Sequence, residues 1–129
     1  MEKAKAAGTN IPISFKHAVE IGKTVKGMEI GKAMKLLNDV IDKRRAIPFR
    51  RYNKDMAHKK GMAAGRYPKK ASKAVIKILE NAIANAAQNN IDPEKAKIVS
   101  FVCGRAISKE RRSTRRIGRM TNVYIEVEG

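Results

Sequence analysis

Apolar residues recur at helical spacing in three segments of the chain, and the longest of these begins at Pro68. Residues three and four positions apart share one face of a helix, so this spacing predicts a helix with a single buried stripe. Pro68 suits the first turn, where its missing N–H costs nothing, and Asn89 and Asn90 end the pattern. The predicted stripe comprises Ala71, Ala74, Val75, Ile78, Leu79, Ala82, Ile83 and Ala86.

Two shorter helices are predicted before this one. Ser14 can cap the first and Gly27 can end it, because glycine readily adopts the left-handed conformation that follows many helices. The second begins near Glu29 and ends at the cations of residues 43–45, before Pro48. The first stripe comprises Phe15, Ala18, Val19 and Gly22, and the second comprises Ile30, Ala33, Met34, Leu37, Val40 and Ile41.

The spacing becomes β-like after the long helix. A capped turn is predicted at residues 92–94, residues 97–107 are rich in β-branched and apolar types, and residues 122–128 alternate between apolar and polar types. The stretch between these two strands is polar and basic, so we expect a hairpin whose far end projects from the body. A strand near Asn10 to Ile13 is expected to join the same sheet.

Together these elements predict an α+β fold with three helices packed on a small antiparallel sheet and a long projecting C-terminal β-hairpin. The length favours a single domain over residues 1–129. We expect a globular body over about residues 10–100 plus 120–129, and an extended hairpin over about residues 97–128.

The charge of the chain indicates what kind of partner it binds. The chain has 29 Lys and Arg against 12 Asp and Glu, a net charge of +17. Residues 46–70 carry eight cations and one acid, and residues 104–119 carry seven cations and one acid, whereas the long helix and its surroundings are nearly neutral. Two concentrated basic segments on either side of a nearly neutral long helix predict binding to a polyanion, and RNA is the favoured partner.

The first basic segment, residues 46–67, lacks apolar periodicity and contains aromatic residues and glycines among its cations. Loops of this length are usually functional or disordered, and aromatic rings with Arg planes can stack on bases. A solvated basic loop is the alternative. The candidate RNA-binding residues in and around it are Arg44, Arg45, Arg50, Arg51, Tyr52, Asn53, Lys54, His58, Lys59, Lys60, Arg66, Tyr67, Lys69 and Lys70.

The second basic segment is the expected hairpin tip, in which Arg outnumbers Lys six to one. Arg offers bidentate phosphate contacts and stacking that Lys lacks. A charged edge that prevents sheet aggregation is the alternative. Its candidate RNA-binding residues are Arg105, Arg111, Arg112, Arg115, Arg116 and Arg119. On the first helix, Lys16, His17 and Lys23 are further candidates, although a solvated face is equally compatible with their spacing.

No catalytic or metal-binding arrangement accompanies this charge. His17 and His58 lack a carboxylate or thiol at triad or ligand spacing, and Cys103 in a strand pattern suits core packing. One cysteine allows no intrachain disulfide and no cysteine-based zinc site. We therefore expect a soluble intracellular protein that is not an enzyme and that has no cofactor, no membrane segment and no small-molecule substrate.

Four stretches resemble the large-subunit ribosomal protein L-twenty-two family, and its archaeal and eukaryotic branch fits best. They are ISFKHAVEIGKTVKG (residues 13–27), EIGKAMKLLNDVIDKRRAIPFRRYN (29–53), AHKKGMAAGRYPKKASKAVIKILENAIANA (57–86) and VYIEVEG (123–129). The third is the most specific, through HKKG, GRYP and the repeated asparagine–alanine steps. The resemblance covers nearly the whole chain after about residue 10.

The resemblance implies a structural role in the large ribosomal subunit, in the cytoplasm. It implies binding to large-subunit rRNA, help in subunit assembly, and neighbouring ribosomal proteins that include L-four. It also implies that the hairpin lines the polypeptide exit tunnel, where its tip would meet the nascent polypeptide. The implied tip residues are Lys109, Glu110, Arg111, Arg112, Ser113 and Thr114. From the residues alone, a stand-alone architectural nucleic-acid-binding protein remains the alternative.

Overall fold

A three-stranded antiparallel sheet with helices on one face forms the body of the protein. The computed structural model describes residues 3–48, 65–92, 95–105, 109–110, 117–118 and 120–129. In chain order the elements are β1 (Lys3–Ile11), α1 (Phe15–Val25), α2 (Ile30–Ile41), β2 (Ile47–Pro48), β3 (Gly65–Arg66), α3 (Lys69–Gln88), β4 (Lys97–Arg105), β5 (Lys109–Glu110), β6 (Ile117–Gly118) and β7 (Thr121–Glu128).

The strand order of the sheet is β1-β7-β4, so β7 is the central strand. Lys3 pairs with Glu128 on one side of it, and Lys97 pairs with Glu128 on the other. Alternate residues of each strand point to opposite faces. The face that packs on the helices is therefore aliphatic, with buried side chains at Ala4, Ala6, Ile98, Val123, Ile125 and Val127.

The helices pack on this face, or on each other, through their apolar stripes. α3 packs on β1 and β7, α1 packs on β4, and α2 packs on α3. Gly27 has a φ of +87° just after α1, and Asn89 is the C-cap of α3, so both predicted helix ends are confirmed. The prediction of three helices with a small antiparallel sheet is also confirmed, which establishes the α+β class.

The buried stripes differ in detail from those predicted. In α1 the buried set is Ala18, Glu20, Ile21, Gly22 and Val25, whereas Phe15 and Val19 are only half-buried. The helix contacts β4, α3, β2 and β7, so its buried surface is wider than one stripe. In α2, Leu36 is buried although it was not predicted, while Met34 and Ile41 are half-buried.

The N-terminal strand joins the sheet, as predicted, but its predicted position was wrong. We expected it near Asn10 to Ile13, whereas β1 occupies Lys3–Ile11 and shares only its last two residues with that range. Its alternation of lysine with alanine carries little β-propensity, because alanine neither branches at Cβ nor contributes much apolar surface. Pairing with β7 therefore decides the conformation of this segment.

The two basic segments leave the body through paired strands. β2 and β3 pair in a two-residue ladder that closes the first segment, and β4 pairs with β7 below the second. Beyond that point β5 pairs with β6, Lys109 opposite Gly118. Residues 49–64 of the loop, and residues 106–108, 111–116 and 119 of the expected hairpin tip, lie outside the described residues.

Two asparagine side chains of α3 cover the outer edge of β1. Asn85 Nδ2 donates to the carbonyl oxygen of Lys5 at 2.7 Å, and Asn89 Nδ2 donates to that of Lys3 at 3.3 Å. Four residues of helix rise about 6 Å, close to the roughly 6.7 Å spanned by two residues of a strand. The matching spacing lets one helix face satisfy consecutive edge carbonyls, which would otherwise be open to pairing with another chain.

A close approach between α1 and β4 depends on a glycine. A Cβ added at Gly22 would overlap the ring of Phe101 on β4. At Gly31, near the start of α2, an added Cβ would meet no atom within 4 Å. The two glycines therefore separate the effect of packing from that of helix propensity.

We expect Gly22→Ala to lower the free energy of unfolding by about 1–3 kcal/mol, because the added methyl group displaces Phe101. The control Gly31→Ala should raise it by up to about 1 kcal/mol, because alanine favours the helix. Urea unfolding followed by circular dichroism measures both. Equal stabilities of the two variants would contradict the close approach of α1 to β4.

We expect Asn85→Ala to be less stable than Asn81→Ala by about 1 kcal/mol, the typical net value of a hydrogen bond. Asn81 is exposed one turn earlier on α3 and, within the described structure, donates no hydrogen bond to β1. Both variants gain the same helix propensity, so the difference in unfolding free energy isolates the bond to Lys5. Identical unfolding curves would show that this bond contributes nothing.

Candidate nucleic-acid interface

The strands that lead into the predicted hairpin tip are joined to the start of α1. Thr121 is fully buried, and its Oγ1 donates to the carbonyl oxygen of Ile13 at 2.9 Å. Arg105 pairs in register with Thr121, and its guanidinium carbon lies 5.0 Å from the centroid of the Phe15 ring, within cation–π range. These contacts fix the place where the second basic segment leaves the body.

The first basic segment has an equally defined base. Ile47 pairs with Arg66 and Pro48 with Gly65, and the Ile47 side chain is fully buried. β2 also contacts α1, so the bases of both basic segments adjoin this helix. A ladder this short is marginal alone. Burial of Ile47 therefore anchors it to the body.

Exposed cations flank the β2–β3 ladder on both sides. Arg45 precedes Ile47 by two residues, and Lys69 follows Arg66 by three. Arg44 forms a 4.0 Å ion pair with Asp39, but its side chain is 72% exposed. Such surface pairs contribute little and leave the cation available to a phosphate.

The helix ends near these bases add to the positive potential. The first turn of α1 contains Lys16, that of α3 contains Lys69 and Lys70, and neither first turn contains an acid. The amino end of a helix carries partial positive charge, so cations there are unfavourable by a few tenths of a kcal/mol each. A bound anion would reverse that cost, because helix amino ends attract phosphate.

The structure groups the predicted site residues into two clusters. Lys16 and His17 follow Phe15, which Arg105 contacts, in the first turn of α1, and Ser14 Oγ accepts the backbone N–H of His17 at 3.5 Å. The second cluster consists of the predicted residues that closely precede β2 or follow β3 in the chain, which are Arg44, Arg45, Tyr67, Lys69 and Lys70. Lys23 is exposed on α1 about 10 Å farther along the helix from Lys16 and belongs to neither cluster.

The charged and the aromatic side chains among these residues differ in how far they are exposed to solvent. The described cations of the two clusters are exposed, whereas His17 and Tyr67 are half-buried, and Tyr67 packs against the core. For Arg66, Lys109 and Glu110 only the backbone is described. The remaining predicted residues lie outside the described part of the chain: Arg50, Arg51, Tyr52, Asn53, Lys54, His58, Lys59, Lys60, Arg111, Arg112, Ser113, Thr114, Arg115, Arg116 and Arg119.

Two residues that shape this region were not predicted as part of it. Phe15 was assigned to the buried stripe of α1, but it is half-buried and supports Arg105. Thr121, at the start of β7, donates a hydrogen bond to the carbonyl oxygen of Ile13, the residue before the Ser14 cap. A threonine at the start of a strand carries no signal of such a partner, because the bond spans 108 positions of sequence.

Cys103 lies on the helix-facing side of β4 and packs against the core, as its strand pattern indicates. Burial raises the pKa of its thiol from 9.0 to about 11, because the apolar surroundings disfavour the thiolate. Within the described ranges, no group of three or more His, Cys, Asp and Glu residues could hold a metal ion. In the same ranges no helix is both long and apolar enough to cross a membrane.

Comparison with known proteins finds a matching family and several relatives. The family model described as "Ribosomal protein L22p/L17e" matches residues 6–125. The chain is 47% identical over 121 residues to the large ribosomal subunit protein uL22 of Archaeoglobus fulgidus, covering 92% of this chain and 78% of that protein. It is 45% identical over 126 residues to uL22 of Methanocaldococcus jannaschii, covering 95% and 81%. It is 39% identical to uL22 of Aeropyrum pernix, covering 93% and 81%.

We expect iodoacetamide to alkylate Cys103 at pH 8 at least about tenfold more slowly in the folded chain than in urea. The raised pKa lowers the thiolate fraction about a hundredfold, and the greater nucleophilicity of that thiolate recovers about a factor of ten. The single cysteine makes the assay unambiguous. As a control, Asn81→Cys in a Cys103→Ala background should react alike in both states. Equal folded and unfolded rates for Cys103 would contradict its burial.

Proposed function

The chain belongs to the ribosomal protein L22p/L17e family, and on that premise we propose that it is a structural component of the large ribosomal subunit that binds large-subunit rRNA. The observation that carries the proposal is the placement of charge. Two basic segments leave one body beside the same helix, and exposed cations surround the base of each. A phosphate backbone that reached either base would meet several cations at once.

The energetic argument concerns the +17 charge of the chain. Charges of one sign repel each other in the free protein, whereas bound phosphates neutralise them and release counterions to the solvent. Repulsion is greatest where the cations are closest, which is in the two basic segments. We infer that rRNA stabilises these segments most, and that the body serves as the scaffold that positions them.

We propose further that the hairpin between β4 and β7 lines the polypeptide exit tunnel. The resemblance to the family supports this proposal, and the anchoring of Arg105 and Thr121 gives the hairpin a fixed origin on the body. On this proposal, residues 109–114 face the nascent polypeptide and ribosomal protein L-four lies nearby. Assistance in subunit assembly follows from contacts with several parts of the rRNA, and the site of action is cytoplasmic.

The slope of rRNA affinity against salt concentration tests the proposal. We expect the triple variant Lys59→Gln, Lys60→Gln, Arg66→Gln to reduce the steepness of log Kobs against log salt by about two to three, since each lost phosphate contact removes roughly 0.7–0.9. Filter binding of the full chain to large-subunit rRNA measures both slopes. Duplex DNA of equal length serves as the competing ligand.

The control variant removes three exposed cations that lie outside both basic segments and both clusters, Lys35→Gln, Lys77→Gln and Lys95→Gln. It has the same net charge as the test variant, and its slope should stay close to that of the wild type. Equal loss of slope in both variants would mean that charge acts without regard to position. Equal affinity for duplex DNA and rRNA would favour a stand-alone architectural nucleic-acid-binding protein.

A further inference from the structure

The sheet face opposite the helices carries a row of apolar side chains across all three strands. Tyr124 on β7 pairs in register with Ala7 on β1 and with Val102 on β4. Among the described residues, Tyr124 and Val102 are the exposed large hydrophobic side chains, 45% and 55% exposed. Together with Lys5, Ser100 and Glu126 they line an open groove of about 480 Å³.

The charges around this row differ from those of the rest of the molecule. The register places Glu126 and Glu128 on the central strand, with Lys3 and Lys5 on β1 and Lys97 on β4 at its sides. Lys3 Nζ lies 3.5 Å from Glu126 Oε1. Three lysines against two glutamates leave this face nearly neutral in a chain of +17.

This pattern does not suit a nucleic acid. A phosphate backbone that crossed the middle of the sheet would approach the two carboxylates of β7, whose repulsion offsets most of the attraction of the three lysines at the sides. The basic clusters beside α1 offer phosphates a far better surface. A protein segment can instead match both features, because it can present an apolar side chain and a cation together.

The size of the face restricts the form of that protein. Three strands about 4.8 Å apart and eight residues long, with their side chains, present roughly 400 Å². A stable complex between two free proteins commonly buries about 800 Å² on each partner. The face therefore fits an extended segment whose parent protein is held in place by further contacts elsewhere.

We propose that the outer sheet face binds an extended segment of another protein of the same ribosomal particle. The segment places an apolar side chain on Tyr124 and Val102 and a Lys or Arg beside Glu128. This proposal rests on the proposed function, since it is membership of the large subunit that supplies the additional contacts.

Site-specific photo-cross-linking in purified large subunits tests the proposal. Benzoylphenylalanine replaces Val102 in the full chain, and co-sedimentation of this chain with the subunit is measured first. Failure to co-sediment would overturn the proposed function, and this proposal with it. Once the chain is in the subunit, irradiation should join position 102 to an extended segment of one protein, identified by mass spectrometry.

Two substitutions distinguish docking from chance proximity. Tyr124→Thr removes the outward ring while leaving the helix-facing core unchanged, and we expect it to lower the cross-link yield roughly fivefold or more. Glu128→Lys should lower the yield similarly by repelling the cation of the partner. The control Glu80→Lys makes the same charge change at an exposed site on α3 and should leave the yield unchanged.

The remaining outcomes oppose the proposal. A cross-link to rRNA alone, strengthened by Glu128→Lys, would identify the face as a nucleic-acid contact. Absence of any cross-link from a chain that is present in the subunit would identify it as a solvent-exposed surface. Either result would overturn the docking of a protein segment and leave the proposed function intact.

Discussion

Pairing of β7 with β1 on one side and with β4 on the other is the interaction on which the rest of the structure depends. It places Val123, Ile125 and Val127 in one buried row against α1 and α3. The same strand positions Thr121 below the hairpin and presents Tyr124 on the opposite face. The base of the hairpin and the outer sheet face are thus both fixed relative to one central strand.

Local periodicity predicted the elements whose side chains carry strong signals. The α3 stripe is large and regular, and β7 alternates cleanly, so both were found close to their observed bounds. The lysine–alanine alternation of β1 was too weak a signal, and Glu20 is buried in a helix that packs against strands and a helix distant in sequence. Sequence spacing contains no information about such distant partners.

The two clusters show the same division between local and distant information. Charge counts along the chain predicted which segments are basic, and the cations of the described parts are indeed exposed. That Arg105 lies over Phe15, or that the ladder at Ile47 adjoins α1, depends on tertiary contacts between residues far apart in sequence. The nearly neutral outer face of the sheet was not predicted for the same reason. Its lysines and glutamates lie on three different strands, and only their pairing brings them together.

The register of β1 with β7 has a consequence for the order of folding during synthesis. Asn10 and Asn122 are hydrogen-bonded although they are 112 positions apart, so the sheet closes only after nearly all of the intervening chain has been made. Contacts of such separation are formed late and slowly. Until then the edge of β1 that faces β7 has no partner strand, while Asn85 and Asn89 cover only the opposite edge. A nascent chain at this stage would be a natural client for a chaperone that shields unpaired strands.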